Sequence, residues 1–252
     1  SFSTVFIGGG TPGLLSSGQL EHLCRIIRDA GLSDGCEWTV EVAPSEISRE
    51  KLDVLAEGEV TRISLGVQTF SSDMMKSLGR DHKVEKVFSA YSMIREKAAF
   101  LVNMDLLFGA PGQTLDMWAL DLTTAAELEP DHLSTYCLTF EEDTAMYVRL
   151  SEGKVELDIE REAEFYEKAW SLLPQFGFPQ YEVSNFARPG RACLHNLNTW
   201  RMHEWIGYGP GASTQYKGVR RKNSANLEKW STDMTNEGDP AYEECFEVGD
   251  RD

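Results

Sequence analysis

The chain has 252 residues, 41% of them hydrophobic and 26% charged, a balance that suits one large domain or two small ones with a real core. A formal net charge of −17 works against a phosphate backbone and argues against nucleic-acid binding, and no apolar run approaches the roughly 18 residues needed to span a bilayer. The five cysteines lie far apart, with no Cys-x-x-Cys pair, as expected of reduced thiols in a cytoplasmic protein.

Short β-branched runs alternate with segments of helical period, the pattern of βα units around a parallel sheet. TVFIG reads as the first strand, followed by a helix over 17–30 with Leu20, Leu23, Cys24, Ile26 and Ile27 as its apolar face and Ser16 or Ser17 as its cap. WTVEVAP precedes a helix over 48–55, and RISLGVQ precedes one over 84–97. VNMDLLFGAPG leads into a helix over 115–128; HLSTYCLTF leads, after an irregular stretch, into one over 159–173. Five such units are too few for a closed eightfold barrel, so the barrel is partial or strands lie outside this chain. QYEVSNFARPG and WIGYGPGAS have strand and glycine-loop character without helices between them, and the last 25 residues turn acidic and are expected to be poorly ordered. The expected domains are 1–175 for the barrel, 176–230 for an extension of it, and 231–252 for an acidic tail or the start of a further domain.

The strand ends are polar or glycine-rich: Gly8 to Thr11, then Glu41, Gln68, and Asp105 with GAPGQT after it. Ligands of parallel α/β folds sit at these ends, where loops and helix N-termini converge. The three glycines fit either a strand-to-helix turn or a backbone that a ligand approaches closely. Glu41 also fits an exposed strand-end acid, Arg80 a surface cation paired with Asp81, and Asp105 a loop cap. Asp105 is the most telling, because an unpaired carboxylate inside VNMDLLFG would cost several kcal/mol or shift its pKa.

In order along the chain, FIGGGTP, VEVAP, RISLGVQTF, LGRDH, NMDLLFGAPGQT, HLSTYCLTFEEDT, QYEVSNFARPG, HNLNTW and IGYGPGA resemble the radical S-adenosylmethionine family of oxygen-independent coproporphyrinogen III oxidase and its relative, the bacterial haem chaperone. The resemblance covers roughly residues 4–230. It implies an α/β partial (β/α)6 TIM-like barrel with S-adenosylmethionine across the strand ends. It places Gly9, Gly10 and Thr11 at the methionyl part, Glu41 and Gln68 in the pocket, and Arg80 and Asp105 in its polar lining.

The family holds a 4Fe-4S cluster with a C-x-x-x-C-x-x-C motif after its first strand. This chain has no such motif, so the cluster cysteines are expected upstream of Ser1, and the chain starts at what would be the second strand; loss of the cluster is the alternative. The small C-terminal domain of the family is also not seen. LGRDH, GAPGQT and HNLNTW are closer to the haem-chaperone branch, whose H-N-x-x-Y-W motif is linked to haem. His195, Asn196 and Trp200 match it, and Thr199 stands at the tyrosine position; His195 fits a haem ligand or a loop hydrogen bond. The expected function is thus haem binding and transfer to a recipient protein. The alternatives are oxidative decarboxylation of coproporphyrinogen III, or a cluster-free barrel holding an anionic metabolite on GGGTP and GAPGQT.

Overall fold

The computed structural model describes residues 1–79, 83–139, 159–235 and 242–249. Five parallel strands lie side by side in chain order: β1 (Phe2–Ile7), β2 (Leu32–Val42), β3 (Arg62–Gln68), β4 (Leu101–Phe108) and β5 (His132–Cys137). A short sixth strand, β6 (Asn185–Ala187), joins β5 antiparallel. Because each strand is added beside the last, the right-handed crossovers put their helices on one face, and the sheet is half of a barrel.

The helices are α1 (Ser17–Asp29), α2 (Arg49–Glu57), the short α3 (Ser72–Ser77), α4 (Val84–Lys97), α5 (Leu115–Glu127) and α6 (Ile159–Leu172). Local chemistry starts four of them. Ser16 and Gln19 form a reciprocal capping box at α1, and the hydroxyls of Ser48, Ser71 and Thr114 accept from Lys51, Met74 and Met117 amides. On α1 only Leu20 and Cys24 of the expected stripe are buried, whereas Ile26 is half exposed. The short α3, between β3 and α4, has too few turns to show a period.

Alternation along the strands separates two chemistries. Val40, Ile63, Leu65, Val102, Met104, Leu106 and Leu133 point to the helices and pack with Leu20, Leu52, Ile94, Trp118, Leu122 and Phe165. Each such burial is worth about 1.5–3 kcal/mol, so this face supplies most of the cohesion. The inner face is polar: Glu41 on β2, Arg62 and Ser64 on β3, Asn103 and Asp105 on β4, and His132 and Ser134 on β5.

Two compact units divide at Cys193 and Leu194. Within the second lie α7 (Leu194–Trp200), the meander β7 (Ser213–Tyr216), β8 (Val219–Asn223) and β9 (Tyr242–Glu247), and α8 (Leu227–Thr235). Lys217 and Gly218 both take positive φ, giving a tight two-residue hairpin between β7 and β8. Arg220 lies over the Trp205 ring and Arg221 over Tyr242. Two expectations are corrected here: α7 lies between QYEVSNFARPG and WIGYGPGAS, where no helix is expected, and most of α8 and all of β9 form inside the last 25 residues, read as poorly ordered, β9 because β8 offers it a paired edge.

Candidate functional site

The three glycines after β1 do different jobs. A Cβ on Gly8 would come within 2.8 Å of the Glu41 carboxylate and 2.7 Å of Phe6, so the missing side chain there is what lets Glu41 close over the turn. Gly9 and Gly10 adopt φ of +77° and +59°, a conformation that glycine enters freely. The Gly9 amide then donates to Glu41 Oε2 at 3.0 Å. Burial pushes the Glu41 carboxyl above the ordinary range, against the lowering effect of that amide.

On β3 the register slips between Leu65 and Gln68, and Gln68 stands at φ +68°, a left-handed conformation for a residue with a Cβ. Such a residue costs about 1–3 kcal/mol and is held by its surroundings. The side chain lies over Gly66, where a Cβ would sit 3.1 Å from Gln68 Nε2.

Asp105 faces the same hollow from β4. Ser64 Oγ donates to its Oδ2 at 2.7 Å and Asn103 Nδ2 to its Oδ1 at 2.8 Å. Burial nevertheless pushes the carboxyl up to about 6, with the Glu41 charge adding to the rise and the bonds from Ser64 and Asn103 opposing it. Tyr136 on β5 also reaches the hollow, and burial, then the Asp105 charge, drives its phenol well above 10.

Together these groups line one open cavity of about 940 Å³ at the C-terminal ends of the strands. Gly10, Thr11, Glu41, Gln68 and Asp105 are in its wall; Gly9 acts through Glu41. Lys83 and Lys86 stand at its α4 side. Arg80 lies outside the described residues. GAPGQT contributes no lining residue among those described; its Gln113 is buried, accepting from the Ala110 amide at 3.3 Å and so lacing its own loop. Sequence reasoning missed Ser64, Gly66 and Tyr136, although Ser64 and Gly66 fall at two-residue spacing from Gln68 on the same strand face. His195, Asn196 and Trp200 lie together on α7 in the second unit. Asn196 and Trp200 are one turn apart, Trp200 is 62% exposed, and the Thr199 hydroxyl donates to the His195 carbonyl at 3.0 Å.

A strand-end cavity with paired acids on a singly wound half barrel narrows the family, and residues 2–123 match the radical SAM superfamily model. The chain belongs to the radical SAM superfamily. It is 38% identical over 250 residues to the haem chaperone HemW of Bacillus subtilis (strain 168), covering 97% of this chain and 65% of that protein. To HemW of Escherichia coli (strain K12) it is 38% identical over 210 residues, covering 83% and 55% respectively. The chain thus spans less than two thirds of the length of these relatives. The radical SAM fold itself is shared with E. coli coproporphyrinogen III oxidase (HemN), with a TM-score of 0.81 at 23% identity over 98% of this chain and 60% of that one.

Radical SAM proteins use S-adenosylmethionine and a 4Fe-4S cluster. The cavity fits the first of these. Two carboxylates raised by burial gain from a cationic sulfonium and ammonium, the turn at Gly10 leaves open space beside its backbone, and Gln68 offers an amide. The described residues do not fit the second: no three His, Cys, Asp or Glu side chains converge as a metal site, and Cys24, Cys36, Cys137, Cys193 and Cys245 are separate thiols.

Proposed function

We propose that this chain is the S-adenosylmethionine-binding half barrel of a haem chaperone, which binds haem and passes it to a recipient protein in the cytoplasm. The observation that carries the reading is the meeting of Glu41, Gln68 and Asp105, from three adjacent strands, in one strand-end cavity. The naming of relatives as haem chaperones at 38% identity supports the second half of it. Bound S-adenosylmethionine would supply an alkyl sulfonium open to reductive cleavage.

The chain's own residues would hold it by charge and shape. Glu41 and Asp105 would take the positive groups, Gly9, Gly10 and Thr11 would border the amino-acid end, and Ser64 and Asn103 would fix the Asp105 carboxylate for one geometry. Ionised Asp105 is the binding form, so cofactor uptake near pH 6 would release a proton. On α7, His195 would offer an imidazole to haem iron, Asn196 a polar contact and the exposed Trp200 a flat apolar surface.

Calorimetric titration of the protein at pH 7.5 tests the first half. S-adenosylmethionine should bind several-fold tighter than S-adenosylhomocysteine, which lacks the sulfonium charge, and Asp105→Ala should weaken it at least tenfold. No heat with either ligand overturns the cofactor reading. For haem, His195→Ala should alter the Soret band of the reconstituted protein, and an unaltered spectrum would remove His195 as a ligand.

A further inference from the structure

We infer that Asp121, in the outer layer of helices, is a positioning residue for the cavity: it clamps the turn after β3 and thereby holds Gln68 at the cavity wall. The role rests on the reading of that cavity as a cofactor site, but the geometry stands apart from it. After Val67 the chain makes a three-residue γ-turn, closed by the Thr69 amide donating to the Val67 carbonyl at 2.9 Å around Gln68 at φ +68°. A γ-turn of positive φ is rare and strained, more so for a residue other than glycine, and does not persist without outside support.

That support comes from α5. Asp121 is 2% exposed and its two carboxylate oxygens are divided between adjacent residues of the turn. Oδ2 accepts from the Thr69 hydroxyl at 2.7 Å, and Oδ1 accepts from the Phe70 amide at 2.7 Å. The same Thr69 hydroxyl oxygen accepts from the Ser71 amide at 3.0 Å, and Ser71 in turn caps α3. A single carboxylate therefore pins the turn at two points and anchors the helix that follows. On the cavity side Gln68 lies over the small Gly66. Burying an acid in a helix layer costs free energy, and the bonds from Thr69 and Phe70 offset part of that cost.

Asp121 does not line the cavity, so its effect on ligand binding must run through Gln68. A double-mutant cycle separates that route from a general loss of structure. Binding of S-adenosylhomocysteine is measured for the protein and for Asp121→Asn, Gln68→Ala and the double variant. Asp121→Asn should weaken binding five- to tenfold, Gln68→Ala by a similar factor, and the double variant by no more than Gln68→Ala alone. Thr69→Val, which removes the hydroxyl from the other side, should reproduce Asp121→Asn if the latter folds poorly. Wild-type affinity in Asp121→Asn, or factors that multiply in the double variant, overturns the inference. A second reading needs no ligand. Hydrogen exchange at the Phe70 and Ser71 amides should quicken at least tenfold in both Asp121→Asn and Thr69→Val, while the amides of Met104 and Leu106 stay as they were. Unchanged exchange at Phe70 and Ser71 sinks the clamp whatever binds. No heat in the unaltered protein with S-adenosylhomocysteine or S-adenosylmethionine would instead sink the cofactor reading and leave the exchange experiment to decide.

Discussion

The two ends of the sheet's inner face carry similar residues and treat them in opposite ways. Near the strand N-termini, Arg62 is 2% exposed, pairs with Glu37 at 3.1 Å and donates to the carbonyls of Arg191 and Ala192. His132, held neutral by burial and the nearby Arg62, binds Asn103 Oδ1 at 2.6 Å and the Tyr181 hydroxyl at 2.8 Å. The chain's own groups close that end. At the other end, Glu41 and Asp105 face a hollow with their carboxyls raised, and Lys83 and Lys86 stand on its α4 side. Charges matched internally make a scaffold, whereas charges left facing open space make a site. Asn103 joins the two ends, since it touches His132 on one side and Ser64 and Asp105 on the other.

The strongest test of this contrast breaks the closed end. Arg62→Met takes the cation from the partly buried Glu37 carboxylate and should cost about 2–4 kcal/mol in urea unfolding. Adding Glu37→Gln should recover at least half of that loss, because the stranded charge is gone. Affinity for S-adenosylmethionine should change less than threefold in either variant that remains folded. A loss under about 1 kcal/mol in Arg62→Met would mean that this end is not held by charge at all.

Next comes the open end, where the sign reverses. Burial pushes the Asp105 carboxyl up to about 6, above the ordinary 3.8 of an aspartate, so the folded protein binds the proton more tightly than the unfolded chain does. Stability from this group is therefore greatest below pH 4 and falls as pH rises through the window from about 4 to about 6. Asp121, also pushed to about 6 by burial, contributes in the same window and direction. Asp105→Asn should stabilise the ligand-free protein by ~1–2 kcal/mol at pH 7.5, roughly halve the fall of its urea midpoint between pH 4 and 6.5, the rest being due to Asp121, and weaken cofactor binding at least tenfold. A destabilised variant would show that Ser64 and Asn103 fully match the carboxylate.

The contrast also explains what could be read from the residues alone. The order of the five βα units was legible because apolar periodicity belongs to each segment by itself, and the cap of α1 declared itself as Ser16 or Ser17. Glu41, Gln68 and Asp105 stood out as polar ends of apolar runs. Arg62 and His132 did not, because a buried charge is recognised by the partners that meet it, and Glu37 and Tyr181 lie 25 and 49 residues away in the chain. Asp121 stands three residues after Trp118 on the buried face of its helix, but the turn it meets, at Thr69 and Phe70, lies 52 and 51 residues away in the chain. In the second unit β9 was masked by its acidic composition, since pairing with β8 depends on an edge supplied by another strand.

The smallest expected effect probes how finely the open end is shaped. Gly66 has no positive φ to preserve, so a methyl group there is opposed only by the Gln68 amide, 3.1 Å from where the Cβ would lie. A side-chain end can shift by a few tenths of an ångström at little cost, and Gly66→Ala should change unfolding stability by less than about 1 kcal/mol, the strand entropy it gains offsetting the crowding. Ligand binding should feel the shift more, weakening three- to fivefold, because the Gln68 amide is then displaced while the γ-turn beneath it stays clamped. Equal losses in stability and affinity would place Gly66 with the scaffold, and the boundary between the closed and open ends would then fall above Ser64 and not below it.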